Sequence, residues 1–503
     1  MTIPSAERLA VFRVDASTDM GTGHVVRCLT LADALSEAGW RCAFACRPGT
    51  VEAVPSLTSA DHFLLELDGA EAAEPQILAR RWPHGVELLV VDHYGLDAAF
   101  TRACRPWARR ILVVDDLAER RHDCEILLDQ TLGRSEGDYR HLVPGSCRLL
   151  LGPQYALLRP QFAAARREAL ARRAAAKPVR RILVSFGGTD PSDATSLALR
   201  ALAESRLDVE VDVVLGRAAA HLAAVSALAA RLPQRTAVHV GVADMAALMR
   251  DGDLAIAAAG TSAWERCCLG LASIVIPVAG NQQANAAALT AAGAARVLPG
   301  TAAVDPAAIA RALERLSEDG DARAAMSAAA AGACDGLGAR RLVLECAPLA
   351  VSRLGKPVSL RPATAADAKL IFDWQSHPAT RRFARNPEVP TWTEHKRWMS
   401  EKLAGRSGLM EIILHERQPA GVLRLDHRED ASYEVSIFVD PAAHGRGVGA
   451  AALQAARWLM PNVTLRAEVI AGNDASHALF RAGGYRWTGE CYLSLPGTAG
   501  PAS

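Results

Sequence analysis

Short apolar runs alternating with helical patterns restrict this chain more than any other feature. Leu9–Val14, Val86–Val91, Ile111–Val114 and Ile126–Leu128 have the length and apolar content of buried parallel strands, and acidic residues follow the last three, at Asp92, Asp115-Asp116 and Asp129. A helix rich in Ala and Arg is expected over residues 160–176. A second series then begins after Pro178, with runs Ile182–Phe186, Val211–Leu215, Leu254–Ala258 and Ser273–Val278. Strands separated by helices form parallel sheets covered on both faces. Two such sheets in tandem predict an α/β architecture with a cleft between them. Open α/β sheets bind ligands at the carboxyl ends of their strands.

The pattern changes after Cys346. Gly355 and Pro357 break the chain in a linker expected over 347–357. Phe372, Trp374, Phe383, Trp392 and Trp398 then cluster, ahead of Leu409–Leu414, Gly421–Leu425 and Tyr433–Val439 at hairpin spacings. These runs predict an α+β domain over 358–503. With 503 residues, two or three domains are the expectation. A formal net charge of +1 favours neither nucleic acid nor an anionic membrane. The 11 cysteines lack metal-ligand spacing and read as reduced, mostly buried thiols. No secretory signal and no membrane span is read, so a cytoplasmic protein is expected.

Three turns carry candidate chemistry. Gly21-Thr-Gly23-His24 joins a strand to a helix. Backbone N–H groups there suit phosphate, and an imidazole can act as a base near neutral pH. From spacing alone, a capping turn with a solvated His is an equal reading. Ser185-Phe-Gly187-Gly188-Thr189-Asp190 and Gly260-Thr261-Ser262-Ala-Trp264-Glu265 also leave strands. Each alone reads as a tight strand–helix turn, whereas the pair favours a nucleotide.

The ordered series Gly21-x-Gly23-His24-x-x-Arg27, Asp92-His-Tyr94-Gly, Asp115-Asp116-Leu, Asp129-Gln130, Tyr155-Ala-Leu-Leu-Arg159-Pro, Gly187-Gly188-Thr189-Asp190, Gly260-Thr-Ser-Ala-Trp-Glu265 and Asn281-Gln282 resembles the UDP-sugar hydrolases of the pseudaminic acid pathway, over about residues 9–345. These are relatives of glycosyltransferases with two facing Rossmann-like domains. The resemblance implies a GT-B-like pair, 1–160 carrying the catalytic His and 161–346 binding UDP. It implies hydrolysis of UDP-2,4-diacetamido-2,4,6-trideoxy-β-L-altropyranose to UDP and free sugar with inversion at C1. By that resemblance His24 activates the water, and Tyr94 and Asn281 sit on the sugar or the diphosphate. Asp15 holds the imidazole or a sugar hydroxyl, with a structural role equally open. Gly23, Arg27 and Gln282 belong to the UDP-sugar-binding set. Glu265 takes the ribose hydroxyls and Met245 lies by the uracil. Gly187, Gly188, Gly260, Thr261 and Ser262 line the diphosphate. No metal is implied. Capping roles for Asp115 and Asp116, an interdomain aromatic at Tyr94 and an Asx turn at Asn281 are the structural alternatives.

In the last third, Phe438-Val439-Asp440-Pro441-Ala-Ala-His444-Gly445-Arg446-Gly447-Val448-Gly449, followed by Asn473-Asp-Ala-Ser476 and Phe480-x-x-x-Gly484-Tyr485, resembles the GNAT acetyltransferases over about 358–495. The resemblance implies acetyl-CoA as co-substrate, held by Phe438, Val439, His444, Gly445, Arg446, Gly447, Val448, Gly449, Asn473 and Ser476. The family pattern has Gln or Arg where this chain has His444, and CoA binding is expected to survive. Glu434 is the candidate base. Tyr492 is the candidate acid to the thiolate, and a buried core tyrosine is an equal reading. Trp374 and Glu394-His395-x-x-Trp398 resemble the subgroup acetylating amino-sugar nucleotides and ribosomal-protein amines, although core is the default for both Trp. The joined expectation is acetylation of the 4-amine of the precursor UDP-sugar, followed by hydrolysis. The partners are small molecules, and oligomeric state is not read. A UDP-sugar-dependent glycosyltransferase fused to an acetyltransferase of unrelated substrate, or a non-catalytic UDP-sugar-binding module, are the alternatives.

Overall fold

A computed structural model describes residues 8–17, 21–68, 73–174, 177–403 and 408–497. The first apolar series forms seven parallel strands: β1 (Leu9–Val14), β2 (Arg41–Cys46), β3 (Phe63–Glu66), β4 (Leu88–Asp92), β5 (Ile111–Val114), β6 (Ile126–Asp129) and β7 (Arg148–Leu151), in the order β3-β2-β1-β4-β5-β6-β7. β4, β5 and β6 are buried throughout because helices and loops cover both faces, hence their continuous apolar runs. Helix Gly23–Glu37 follows β1. The chain order reverses between β1 and β4, so their carboxyl ends flank the crevice where such sheets bind ligands.

The second series repeats this plan with β8 (Arg181–Ser185), β9 (Glu210–Leu215), β10 (Arg235–Val240), β11 (Leu254–Ala257), β12 (Ser273–Val275) and β13 (Arg296–Val297). All pair parallel in the order β10-β9-β8-β11-β12-β13. Here the reversal lies between β8 and β11, which brings together the two glycine turns that follow those strands. β2, β3, β7, β10 and β13 are not marked by the apolar runs. β10 and β3 lie at sheet edges and are only partly buried, so they carry weaker apolar signals. The Ala/Arg-rich helix spans Pro160–Arg173; Phe162 and Ala169 are buried against the second sheet's core beside Trp264.

The last sheet is mixed: β14 (Val358–Pro362), β15 (Gly408–His415), β16 (Gln418–His427), β17 (Tyr433–Val439), β18 (Leu465–Ala467), β19 (Arg486–Trp487) and β20 (Tyr492–Ser494), in the order β14-β15-β16-β17-β18-β20-β19. β14 to β17 form an antiparallel meander, and β17 pairs with β18 in parallel only at Tyr433 and Glu434. The strands then part. The fold is thus two Rossmann-like parallel sheets followed by an α+β domain.

The chain separates into two compact units, Met1–Ala339 and Arg340–Ser503. The second unit therefore starts ahead of the 347–357 segment. Its buried anchor is Arg341, whose guanidinium donates to Glu411 on β15 at 2.5 Å, with both side chains at most 1% exposed. Within 347–357 itself, Ala347 and Ala350 are buried and Val351 bridges Pro357. Arg341→Ala removes the guanidinium from a buried carboxylate, and the second unit is expected to lose about 3–5 kcal/mol. Urea unfolding of the full-length variant, followed by the domain's tryptophans, checks this. No helix among the described residues is long and apolar enough to cross a membrane.

Candidate active sites

The turn after β1 puts His24 at the start of its helix, 6% exposed. The side chain that meets its ring comes from the end of β4. Asp92 Oδ1 lies 2.6 Å from His24 Nδ1. Arg27, one helical turn on from His24, grips the same carboxylate with Nε and Nη2, both at 2.6 Å. Burial opposes ionisation of Asp92, but the charges of Arg27 and His24 outweigh it and hold the carboxyl well below the ordinary range. Arg27 Nη2 also lies 3.1 Å from Nδ1, but the 2.6 Å contact with the carboxylate is the shorter one and is met by a proton on Nδ1, the tautomer in which Nε2 keeps its lone pair.

Two expectations change here. Asp15 does not hold the imidazole: it pairs with Arg13 at 2.7 Å, accepts from the Arg47 N–H and faces His93 at 3.4 Å. Burial raises its carboxyl, but His93 and Arg13 overcome that and bring it down to about 2. Arg27 is not presented to a ligand: it is 4% exposed, and Asp92 and Asp116 take its donors. The helix periodicity places Arg27 on the buried face, where it orients Asp92. Asp92 and Asp116 were both visible as strand-end acids, but nothing local showed that β4 lies beside β1.

Tyr94 packs edge-on against His24, with ring centroids 4.7 Å apart. Its hydroxyl donates to Asp116 Oδ2 and accepts from Asn281 Nδ2, each at 3.2 Å. Burial, then the Asp116 charge, pushes the phenol pKa up. Asn281 sits in a short 3-10 turn of the second half, so this bond crosses the cleft. Gly23 also abuts Thr261: a Cβ there would lie 3.2 Å from Thr261 Oγ1. Asp115 caps its own turn through the Ala118 N–H, takes the Tyr139 hydroxyl and pairs with Arg120, whose guanidinium lies over the Tyr94 ring.

On the second sheet, Gly187 has φ +103° and Gly188 accepts the Gly216 N–H at 2.9 Å, which ties the first turn to the end of β9. Gly216 carries no sequence signal, because its need for a bare backbone arises from that contact: a Cβ would fall 2.4 Å from the Gly188 oxygen. The helix after the turn begins only at Ala194, where Asp190 accepts from the Ala194 and Thr195 N–H groups. The second turn is braced from inside. Arg266 donates to the Ala258 carbonyl and to Ser262 Oγ, and Gln282 Oε1 takes the Ala259 and Val278 N–H groups. Gln282 thus shapes the turn beside Gly260. Glu265, one turn into the helix, is pushed up to about 7 by burial, against Arg159 at 3.9 Å. Met245 opens the helix Met245–Asp251, half-buried behind the Asp244 cap.

In the last domain a cleft of about 1510 Å³ gathers Glu434, Gly445, Gly447, Asn473 and Ser476. Phe438, Val439, His444, Val448 and Gly449 also line it. Gly445 and Gly447 have φ of +75° and +79°, which aligns successive N–H groups as an anion-binding turn requires. Helix Val448–Leu459 starts there. The Arg446 carbonyl accepts the Arg353 N–H, so the segment before β14 anchors the turn. His444 Nε2 lies 3.0 Å from the Val439 carbonyl, so its ring is engaged on its own strand. Asn473 caps helix Asp474–Ala482 through the Ser476 N–H.

Glu434 is in the cleft, but Arg428 and Arg385 hold its two oxygens, and Arg385 also reaches Glu468. Tyr492 is 1% exposed, stacks on Phe480, donates to the His477 carbonyl and does not line the cleft. The acid assignment is corrected accordingly: the β20 position turns this side chain into the core. Trp374 is also core, 7% exposed. The described cysteines are unpaired by disulfides, and no group of three or more metal-ligating residues is present among the described residues.

Residues 182–341 match the glycosyltransferase family 28 C-terminal domain, and residues 358–486 match the acetyltransferase (GNAT) domain. The first unit has the GT-B-like fold of MurG from Acinetobacter baumannii, at a TM-score of 0.50, 16% identity, and coverage of 67% of this chain and 98% of that one.

The chain is homologous to the UDP-2,4-diacetamido-2,4,6-trideoxy-beta-L-altropyranose hydrolase of Campylobacter jejuni, at 29% identity over 36% of this chain and 60% of the relative. It also matches the spore coat polysaccharide biosynthesis protein SpsG of Bacillus subtilis, at 27% identity over 56% of this chain and 80% of the relative. An uncharacterized protein of Methanocaldococcus jannaschii is 24% identical over 52% of this chain; the chain spans 54% of that relative's length.

Proposed function

We propose that the first unit hydrolyses UDP-2,4-diacetamido-2,4,6-trideoxy-β-L-altropyranose to UDP and the free sugar, and that the GNAT domain N-acetylates the 4-amine of the precursor UDP-sugar. The observation that carries the first half is the Asp92–His24 pair, Oδ1 to Nδ1 at 2.6 Å, which in the Nδ1-protonated tautomer leaves the Nε2 lone pair to face water. Nε2 takes a proton from water as its oxygen attacks C1. The C1–O bond breaks, its electron pair leaves on the β-phosphate oxygen, and C1 inverts. The imidazolium formed is stabilised by Asp92, as carboxylate–histidine pairs do elsewhere. The turns at Gly187-Gly188 and Gly260-Thr261-Ser262 take the developing diphosphate charge.

In the second half, acetyl-CoA supplies the acetyl group, and the Gly445–Gly449 turn would hold its diphosphate. The amine nitrogen attacks the thioester carbonyl, the C–S bond breaks and CoA leaves as the thiolate, and Glu434 takes the ammonium proton once Arg385 has left its oxygen. The fusion of the two domains, together with the relative's printed activity, supports consecutive steps.

Proton NMR of the protein with UDP-4-amino-4,6-dideoxy-N-acetyl-β-L-altrosamine and acetyl-CoA tests both halves. A new N-acetyl signal followed by inverted free sugar is expected. Hydrolysis only of pre-acetylated substrate would leave the first half standing and refute the second. Turnover only with a sugar acceptor added would replace hydrolysis by glycosyl transfer.

Glu265 adds a pH test. Its carboxyl sits at about 7 in the free protein. Ribose hydroxyls donate to the ionised form, so UDP binding lowers that value and releases a proton. UDP affinity is therefore expected to rise as pH goes from 6 to 8, and Glu265→Gln to flatten that slope. Calorimetry in buffers of different ionisation enthalpy reads the proton directly.

A further inference from the structure

Resting on the UDP-sugar reading above, we infer that Asp116 makes Tyr94 an obligate hydrogen-bond acceptor, so that the pair selects a neutral donor on the sugar ring, an amide N–H or a hydroxyl, and does not contact the diphosphate. A phenol has one proton to give. Tyr94 gives it to Asp116 Oδ2, and its oxygen faces the cleft partner Asn281 as an acceptor of that amide's N–H. A diphosphate oxygen offers only lone pairs. To bind one, Tyr94 would have to withdraw its proton from Asp116. That would cost the carboxylate a bond while its other oxygen, Oδ1, is already buried without a hydrogen-bond partner.

Asp116 is fixed against such a change. Its Oδ2 also faces Arg27 Nη1 at 3.4 Å, and Arg134 clamps its main-chain carbonyl at 2.8 Å. Arg120 lies over the Tyr94 ring at 5.9 Å and Arg27 beside Asp116, so the direction of the hydrogen bond, not the net charge around Tyr94, selects the donor, while the Asp116 charge acts on the phenol itself. Burial and that charge keep the phenol un-ionised, so it remains neutral while accepting. The edge-on contact with His24 places this acceptor one ring away from the base. A sugar substituent bonded there is held in register with C1, and Asn281 is the group it displaces. Asp116 is thus a positioning residue, acting through Tyr94.

The test uses the full chain in a His24→Ala background, which removes turnover, with UDP and the diacetamido UDP-sugar titrated separately by calorimetry. Tyr94→Phe is expected to weaken the UDP-sugar by about tenfold, the loss of one hydrogen bond to a donor left unpaired, and UDP by less than twofold. Equal weakening of both would place Tyr94 on the diphosphate and overturn the proposal, as would no weakening of either. If the unsubstituted background binds no UDP, the UDP-sugar reading itself falls. A substrate-free measurement isolates Asp116. The chain has six tyrosines, so 13Cζ-tyrosine NMR resolves the Tyr94 phenol. Asp116→Asn, which no longer offers a carboxylate to the phenol proton, is expected to shift the Tyr94 13Cζ resonance at neutral pH, and an unchanged resonance refutes the coupling.

Discussion

His24→Ala should lower kcat for UDP release by about a thousandfold, in the middle of the range for loss of a positioned general base. UDP affinity should change little, because the turns proposed to hold the diphosphate lie on the second sheet. The effect should be large because no neighbouring group can replace Nε2. Asp92 is locked between Arg27 and Nδ1, and Tyr94 keeps its proton on Asp116. Asp92→Asn should cost catalysis comparably by a different route. It replaces an acceptor-only carboxylate by an amide whose NH2 can donate to Nδ1, so the ring can adopt the tautomer with Nε2 protonated. It also leaves the buried Arg27 without its main counter-charge, at about 3–5 kcal/mol. The two variants are separated by measuring both kcat and urea stability: His24→Ala should keep the stability of the parent, whereas Asp92→Asn should not. Hydrolysis within tenfold of the parent in His24→Ala would remove the imidazole from the mechanism.

Gly447→Val should abolish acetyl-CoA binding to the last domain while UDP binding is unchanged. The turn cannot absorb a side chain at this point. Gly447 has φ +79°, and a Cβ would lie 2.7 Å from Arg353 Cγ and 2.9 Å from the Arg353 nitrogen. That nitrogen donates to the Arg446 carbonyl, so the clash pries apart the contact that anchors the turn. Gly445→Ala separates strain from clash. Nothing lies within 4 Å of its Cβ, and only the left-handed φ of +75° opposes it. A loss of about 1–2 kcal/mol in acetyl-CoA affinity is expected there, read by the same calorimetry. An unchanged affinity in Gly447→Val would place CoA elsewhere.

Both glycine-turn sets and His24 were legible because such signals are local. A glycine needing a positive φ and a His opening a helix after an apolar run are properties of a few consecutive residues. The partners were not legible. Asp92 is 68 positions from His24, and Asp116 is 22 positions from Tyr94. Each appeared only as an acid ending a strand. Tyr492 shows the converse: a tyrosine near the end of a domain has no local mark telling a cleft acid from a core side chain, and the pairing of β20 with β18 turned it inward. Arg341 and Arg353 lay in or beside what reads as a connector, because ion pairs and backbone anchors carry no periodicity.

The amino-acid sequence by itself determined the class: two tandem parallel sheets, because continuous apolar runs between helices can be buried on both faces only that way, and a third domain with a glycine turn into a helix. It also marked the strand ends where chemistry collects. Strand order was decided only in the tertiary structure. Setting β4 beside β1 and β11 beside β8 brought His24 to Asp92 and one glycine turn to the other. The Tyr94–Asp116 bond then set which way that hydroxyl points, leaving its oxygen to accept from Asn281. Hydrogen-bond direction and buried charge pairing depend on distances between segments far apart in the chain, and those distances exist only once the sheets have formed.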